Sequence, residues 1–174
     1  MELLDLMHRR RSIRRYTGQP LSQESLNRIL QAGLLAPSSK NIRPVELITV
    51  ENKDTLHALS RSKAAGAVHL AEAACAIVVL GDSSRADAWV EDCSIAMTYM
   101  MLMAEQLGIG TCWIQERLRQ TATGQRSGDF VRELLGIPER YEVEAILALG
   151  YPAERPGPRD WDSRDQKKLH RERF

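Results

Sequence analysis

Over residues 87–107, apolar side chains recur at Trp89, Cys93, Ala96, Met100, Met103 and Leu107. That spacing of threes and fours is sustained for roughly six turns and commits the chain to one long helix with a continuous apolar stripe. Gly108 ends it. The stripe is made of small and sulfur-bearing residues, which suits either a helix buried at the centre of the domain or one half of a dimer interface. Upstream, residues 73–80 form an unbroken apolar run of eight. Such a run reads as a strand covered on both faces and falls far short of the about twenty residues that a membrane-spanning helix needs.

The remaining pattern interleaves strands with helices. Leu3, Leu4 and Met7 place an amphipathic helix at the start, which Thr17-Gly18-Gln19-Pro20 separates from the next. That next helix has Ser22 as N-cap, a hydrophobic staple from Leu21 to Leu26, and Gly33 near its end. Val45–Val50 is β-branched and reads as a strand, after which residues 51–54 turn into a polar helix. A small-residue helical stretch is expected over residues 64–72, and strands over 74–80, 111–114 and 143–149. Asp82 to Ser84 are placed to cap the long helix, and residues 130–135 form a short helix ended by Gly136 and Pro138. An α/β or α+β layered domain follows, with 174 residues forming one unit and no linker dividing it.

Charge and cysteine usage exclude several function classes. With 24 Lys+Arg against 23 Asp+Glu the formal charge is +1, so no general affinity for nucleic acid or anionic membrane is implied. Any anion site must be local. The basic residues near the start follow the apolar stretch instead of preceding it, the reverse of a secretory signal. Cys75, Cys93 and Cys112 show no CxxC spacing and sit in apolar runs, which suits neither a disulfide framework nor zinc and implies a reducing, cytoplasmic setting. A thiolate is disfavoured there. His8, His57, His69 and His170 have no metal-ligand spacing, and no Gly-x-Ser-x-Gly occurs. Without a protein nucleophile, weight moves to a cofactor that brings its own reactivity.

Three segments carry candidate chemistry. Arg9, Arg10, Arg11, Arg14 and Arg15 fall within seven residues and repel one another unless something negative docks. A solvated basic face is the bland alternative, but guanidinium groups with the Ser12 hydroxyl suit a single phosphate. Ser38-Ser39-Lys40-Asn41 lies between Pro37 and Pro44, a stiffened polar loop or an ordinary turn. Gly108-Ile109-Gly110-Thr111-Cys112-Trp113-Ile114 lets backbone turn and approach a ligand, or is only a helix end, and it lacks the GxGxxG of a dinucleotide site.

Taken in order, Arg10-Arg11-Ser12-Ile13-Arg14, Ala36-Pro37-Ser38-Ser39-Lys40-Asn41-x-x-Pro44, Leu107-Gly108-Ile109-Gly110-Thr111-Cys112-Trp113-Ile114 and Gly150-Tyr151-Pro152 resemble the nitroreductase family over nearly the whole chain. The resemblance implies an α+β three-layer fold, a central, mostly antiparallel sheet flanked by helices, and a long central helix at a homodimer interface with two shared active sites. It implies FMN as cofactor and NAD(P)H as co-substrate, with hydride passing by ping-pong kinetics to a nitroaromatic, quinone or similar small-molecule acceptor. Carried over by position, Arg10 and Ser12 hold the FMN phosphate and ribityl chain, Arg11 contributes its backbone or side chain, and Arg14 sits at the pyrimidine end and tunes reactivity. Ser38, Ser39 and Asn41 close over the flavin from the other subunit, with Ser39 and Lys40 towards substrate. Trp113, Ile114 and Gln115 meet the flavin, the Gln115 N–H being the donor to N5. For the phosphate-binding pair near the C-terminus the candidates are Arg159 and Arg164, of which Arg164 is assigned. Val45 replaces the tryptophan that often follows the loop proline.

Two other readings follow from the same residues. One is a related flavoprotein running flavin fragmentation or reductive dehalogenation, for which the polar stretch of residues 116–129 is short as a substrate lid. The other is a non-enzymatic anion- or nucleic-acid-binding protein built on Arg9 to Arg15, disfavoured by the neutral balance and the lack of interleaved aromatics.

Overall fold

The computed structural model describes residues 2–174. Four strands, β1 (Val45–Val50), β2 (Cys75–Asp82), β3 (Gly110–Gln115) and β4 (Tyr141–Gly150), pair antiparallel in the order β1-β2-β4-β3. Every residue of the central strand β2 is buried. Its side chains alternate: Ala76, Val78 and Leu80 join Ile146 and Ala148 of β4 in one apolar cluster, while Cys75, Ile77 and Val79 join Ala145, Leu147 and Leu149 in the other. Burial on both faces is why the sequence there is continuously apolar.

Helices cover both faces and make three layers. They are α1 (Leu3–Arg9), α2 (Gln23–Leu34), α3 (Lys53–Leu59), α4 (Trp89–Gln106), α5 (Ser127–Leu135) and α6 (Ser163–Gln166). On one face Leu26 and Ile29 of α2 and Met97 and Met100 of α4 pack with Ile77 and Leu147. On the other, Leu56 and Leu59 of α3 and Val131 of α5 pack with Val78 and Ile146. Each such fully buried side chain contributes about 1.5–3 kcal/mol. The α+β, antiparallel, three-layer expectation is met. Ser22 caps α2 by accepting the Ser25 N–H at 3.2 Å, and Gly136, at φ 66°, closes α5.

Three local expectations are corrected. Asp82 does not cap α4: it ends β2 and takes the Ser84 N–H and hydroxyl in a turn, and α4 starts after Ala88 with no side-chain cap. Over residues 64–72 only Val68–Glu72 is helical, and as a 3-10 turn, because the preceding Gly66 sits at φ 83°. In α1 it is Leu6 that is buried, whereas Leu3, Leu4 and Met7 are exposed, because no element of this chain covers their face.

Candidate active site

The arginine segment is held in place by backbone on both sides. The Ile13 N–H donates to Thr111 O of β3 at 2.8 Å. On its other side the chain runs against residues 151–159: Thr17 N–H to Tyr151 O and Ala153 N–H to Arg15 O, both at 2.9 Å, and Arg159 N–H to His8 O at 2.8 Å. Two side chains seat the segment. Gly110 and Gly150 face each other in the β3–β4 register, and a Cβ on either would lie 2.9 Å from Ile13 or 2.7 Å from the Tyr16 ring. The notch left by those missing side chains receives Ile13 and Tyr16, both buried, and the Tyr16 hydroxyl donates to Ile13 O at 2.7 Å. Burial holds that phenol far above its ordinary pKa, so it remains a donor.

Seated this way, the cations divide. The Arg11 guanidinium donates to the Gly157 carbonyl and, with Arg9, Glu105 and Arg155, lines a cleft of about 440 Å³. Arg10 and Arg14 act on the other side, together with Lys63. Burial raises the Cys112 pKa; the charges of Arg14, Lys63 and Arg10 oppose that rise, and Glu154, which accepts the Arg14 N–H at 2.6 Å, adds to it. Among the described residues neither Arg10 nor Arg14 has an ion-pair partner. Ser12, half-buried, lies between them in sequence and pairs with Thr111.

The edge of β3 beside this cluster offers backbone donors. Because Thr111 O accepts from Ile13, the polar backbone groups of Thr111 point away from β4. Alternation then puts the N–H groups of Trp113 and Gln115 on the same outer edge. Lys63 Nζ, 3.5 Å from Gln115 O, marks that edge. Ile114 points the opposite way: its backbone faces β4 and its side chain is fully buried, so it is not brought to the edge. The side chains of Trp113 and Gln115 are locked together, Trp113 Nε1 donating to Gln115 Oε1 at 2.8 Å and Gln115 Nε2 to Glu144 Oε1 at 3.0 Å.

His69 completes the cluster. It is 7% exposed, its Nε2 has no partner, and burial, then Arg14 and Lys63, lowers its pKa. A neutral imidazole with a free nitrogen results. Sequence reasoning missed both Lys63 and His69, which sit in an uninformative small-residue stretch. A lone lysine within it was the available signal.

The second motif lies elsewhere in this chain. Ser39, Lys40 and Asn41 form a 3-10 turn whose Ser39 N–H donates to Asp92 Oδ1 at 2.8 Å. Lys40, Asn41 and Arg43 have φ values of 52°, 54° and 52°. Left-handed non-glycine residues cost about 1–3 kcal/mol each where the surroundings enforce them, with asparagine at the low end. Ser38 Oγ accepts the Arg43 N–H, and Asn41 Oδ1 accepts Arg43 Nε, both at 2.9 Å. Lys40 stands 3.8 Å from Asp87 on the surface. Asp92 is near the start of α4, whereas Glu105, 3.9 Å from Arg9, is in its last turn. Thirteen residues of helix separate the two motifs by about 20 Å, so within one chain they do not meet. Arg164 is not brought to the arginine cluster either: it is exposed and bonded to Asp162 at 2.6 Å, and Arg159 pairs with Asp165 at 3.3 Å.

An uncovered apolar surface runs along the outer sides of α1, α2 and α4. Leu3, Met7, Leu35, Tyr99 and Leu102 line a groove of about 780 Å³ there. Among the described residues no helix is long and apolar enough to cross a membrane, and no group of three or more His, Cys, Asp or Glu could hold a metal ion.

The sequence profile of the nitroreductase family matches residues 7–68 and 57–151. The chain is 36% identical, over 99% of both sequences, to an Archaeoglobus fulgidus protein whose name gives NADH dehydrogenase and NAD(P)H nitroreductase as candidate activities. An FMN-dependent nitroreductase structure from Clostridium difficile superposes with TM-score 0.94 at 39% identity, covering 98% of this chain and 99% of that one. A Desulfovibrio desulfuricans structure solved in complex with FMN superposes with TM-score 0.78 at 25% identity, covering 100% and 98%.

Proposed function

This chain belongs to the nitroreductase family, and from that premise we propose that it is an FMN-dependent NAD(P)H oxidoreductase acting as a homodimer with shared active sites. The observation that carries the reading is that Ile13 N–H to Thr111 O at 2.8 Å pins the segment Arg10-Arg11-Ser12-Ile13-Arg14 to the outer edge of β3, where Lys63 Nζ stands 3.5 Å from Gln115 O. The residues present fit the flavin. Arg10 and the Ser12 hydroxyl suit its phosphate and ribityl chain, and the outward Gln115 N–H suits the polar edge of its ring.

Bound FMN supplies the redox chemistry, accepting hydride from a reduced nicotinamide and donating it to a second substrate that takes the same place. The chain's own part is electrostatic and positional. Arg14 and Lys63 place fixed positive charge where negative charge accumulates on reduction, an effect of roughly 2.7–4 kcal/mol per well-aimed donor in favourable sites. The Trp113–Gln115–Glu144 bonds keep the β3 edge rigid, so the Gln115 N–H costs no reorganisation when it is used. No side chain needs to act as acid or base, since protons come from water. Quinones and nitroaromatics fit an acceptor role that demands only a flat, reducible molecule.

Homodimerisation explains the two separated motifs. Antiparallel packing of two α4 helices through the apolar groove carries the loop at residues 38–41 of one chain to the arginine cluster of the other, and it covers Leu3, Met7 and Tyr99. Ser38, Ser39 and Asn41 then close the flavin site, with Lys40 towards substrate. The test is direct. Purified protein should be yellow, a dimer by light scattering, with one FMN per chain, reduced by NADH or NADPH and reoxidised by quinone or nitroaromatic with parallel double-reciprocal plots. Colourless monomer that takes up no FMN refutes the proposal.

A further inference from the structure

Asp92 is an acidic side chain on the buried side of α4, 2% exposed, placed where the long helix passes beneath residues 38–43. One oxygen accepts the Ser39 N–H at 2.8 Å, and the other is closed to solvent and has no partner. Asp92 lines a cavity of about 230 Å³ together with Pro37, Ser38, Arg43 and Val45. The loop's other short bonds are internal: Asn41 N–H to Ser38 O and Ile42 N–H to Ser39 O, both at 3.0 Å, and the two made by Arg43. Its remaining ties to α4 and the turn before it are long and exposed, Lys40 to Asp87 at 3.8 Å and Arg85 to the Ile42 carbonyl at 3.4 Å. Internal bonds make the loop stiff but do not say where it sits. Three left-handed residues in four positions need external constraints: Asp82 N–H to the Pro44 carbonyl at 3.0 Å holds the end of the loop, and Ser39 N–H to Asp92 holds its start.

From this placement we infer that Asp92 is a positioning residue of the flavin site in the opposite subunit: by gripping Ser39 it sets the height and tilt at which Ser38, Ser39 and Asn41 are presented across the dimer. This rests on the shared-site reading above. Asp92 touches neither flavin nor substrate; it acts through the loop. The partnerless oxygen is not needed for that grip, so the two oxygens have separable roles, and the hydrogen bond to Ser39 carries the effect.

Amide exchange on the wild-type dimer comes first. The Ser39 amide should exchange at least 100-fold more slowly than the Lys40 amide beside it, and equal rates would overturn the anchor. Asp92→Ala and Asp92→Asn are then compared, because asparagine keeps one oxygen for Ser39 while replacing the other. Expected for Asp92→Ala are tenfold or weaker FMN binding and tenfold faster trypsin cleavage after Lys40, with circular dichroism and oligomeric state unchanged. Asp92→Asn should stay within threefold of wild type on both, and this arm stands if the alanine variant does not fold. Loss of FMN affinity in Asp92→Asn equal to that in Asp92→Ala would overturn the assignment to the Ser39 bond.

Mixed dimers test the direction of the effect. Pairing an Asp92→Ala chain with an Arg10→Ala/Arg14→Ala chain should restore one tight FMN site per dimer, since one site then receives two intact halves. No tight site in the mixed dimer means the loop serves its own chain, and the proposal falls. If wild-type protein binds no FMN, the functional reading fails instead, and exchange and trypsin cleavage still decide whether Asp92 anchors the loop.

Discussion

Gly150→Ala tests whether the glycine notch places the arginine segment. The added Cβ would stand 2.7 Å from Tyr16 Cδ1 and 2.9 Å from Cγ, whereas ordinary contact begins at 3.4 Å, so the ring must retreat by about 0.7 Å. Tyr16 has little room to do so: it is 8% exposed and its hydroxyl is tied to Ile13 O. Overpacking of this kind costs about 1–3 kcal/mol, from which the gain of replacing a strand glycine returns about 0.5–1. The net loss of roughly 0.5–2 kcal/mol lowers the melting temperature by about 1–8 °C in a chain this long. Function should suffer more than stability, because the displaced Tyr16 ends the arginine segment and is bonded to the Ile13 carbonyl between Ser12 and Arg14, and misplacement approaching 1 Å costs on the order of a hundredfold in a site that works by orientation. FMN affinity by fluorescence quenching and NADH turnover should fall ten- to hundredfold. Gly157→Ala is the control, since nothing lies within 4 Å of its Cβ. A folded Gly150→Ala protein with wild-type FMN affinity would show that the notch does not set the position of the cations.

Three further outcomes are expected. Burial pushes the Glu116 carboxyl up to about 7, against its Ser62 hydrogen bond and Lys63. A carboxyl that holds its proton more tightly when folded gives stability that is complete below the unfolded value and lost as pH rises through about 7. The stability of Glu116→Gln relative to wild type should therefore rise by about 3 kcal/mol between pH 4 and 8 in paired denaturation curves, and a flat difference refutes this. Burial pushes the Cys75 thiol up to about 12 and raises those of Cys93 and Cys112, so iodoacetamide at pH 8 should label none of them until the protein unfolds. Ser22→Ala should cost about 1 kcal/mol in urea unfolding through loss of the α2 cap and leave FMN affinity unchanged.

What the sequence made legible was whatever repeats at short range. The six-residue β1 fell at Val45–Val50 as expected, because β-branched residues bounded by Pro44 and Glu51 leave little freedom. The long helix was found within two residues at each end, because its stripe runs for roughly five turns. The Ser12 and Arg14 side of the arginine segment was legible as chemistry because too many cations stood together to be inert. Density does not assign each cation its place: an extended backbone sends neighbours to opposite sides, and the Arg11 guanidinium donates to the Gly157 carbonyl of the tail while Arg10 and Arg14 bear on the Cys112 thiol. No count of charges could show that.

The unread part of the site is made by register and by chain reversal, which no local window contains. Gly110 reads in isolation as the end of a helix turn, and becomes a seat only because β3 pairs with β4 so that Gly150 stands opposite it and a third segment crosses both. Lys63 and His69 reach the cluster because a 3-10 turn folds back against β3 from more than forty residues away in sequence. Asp92 was concealed by its own helix. A carboxyl set one position before Cys93 on the apolar stripe looks like an edge residue, and it becomes an anchor only where the loop after α2 returns over α4. The same geometry is the reason the proposed function needs two chains. About 20 Å of helix separates the loop that Asp92 holds from the cations that Gly110 and Gly150 seat. Lengthening or bending α4 would not close that gap without breaking the buried row Cys93, Ala96, Met97, Met100 and Ala104 that fixes it on the sheet. In the proposed homodimer a twofold axis across α4 would close it with no change in either chain.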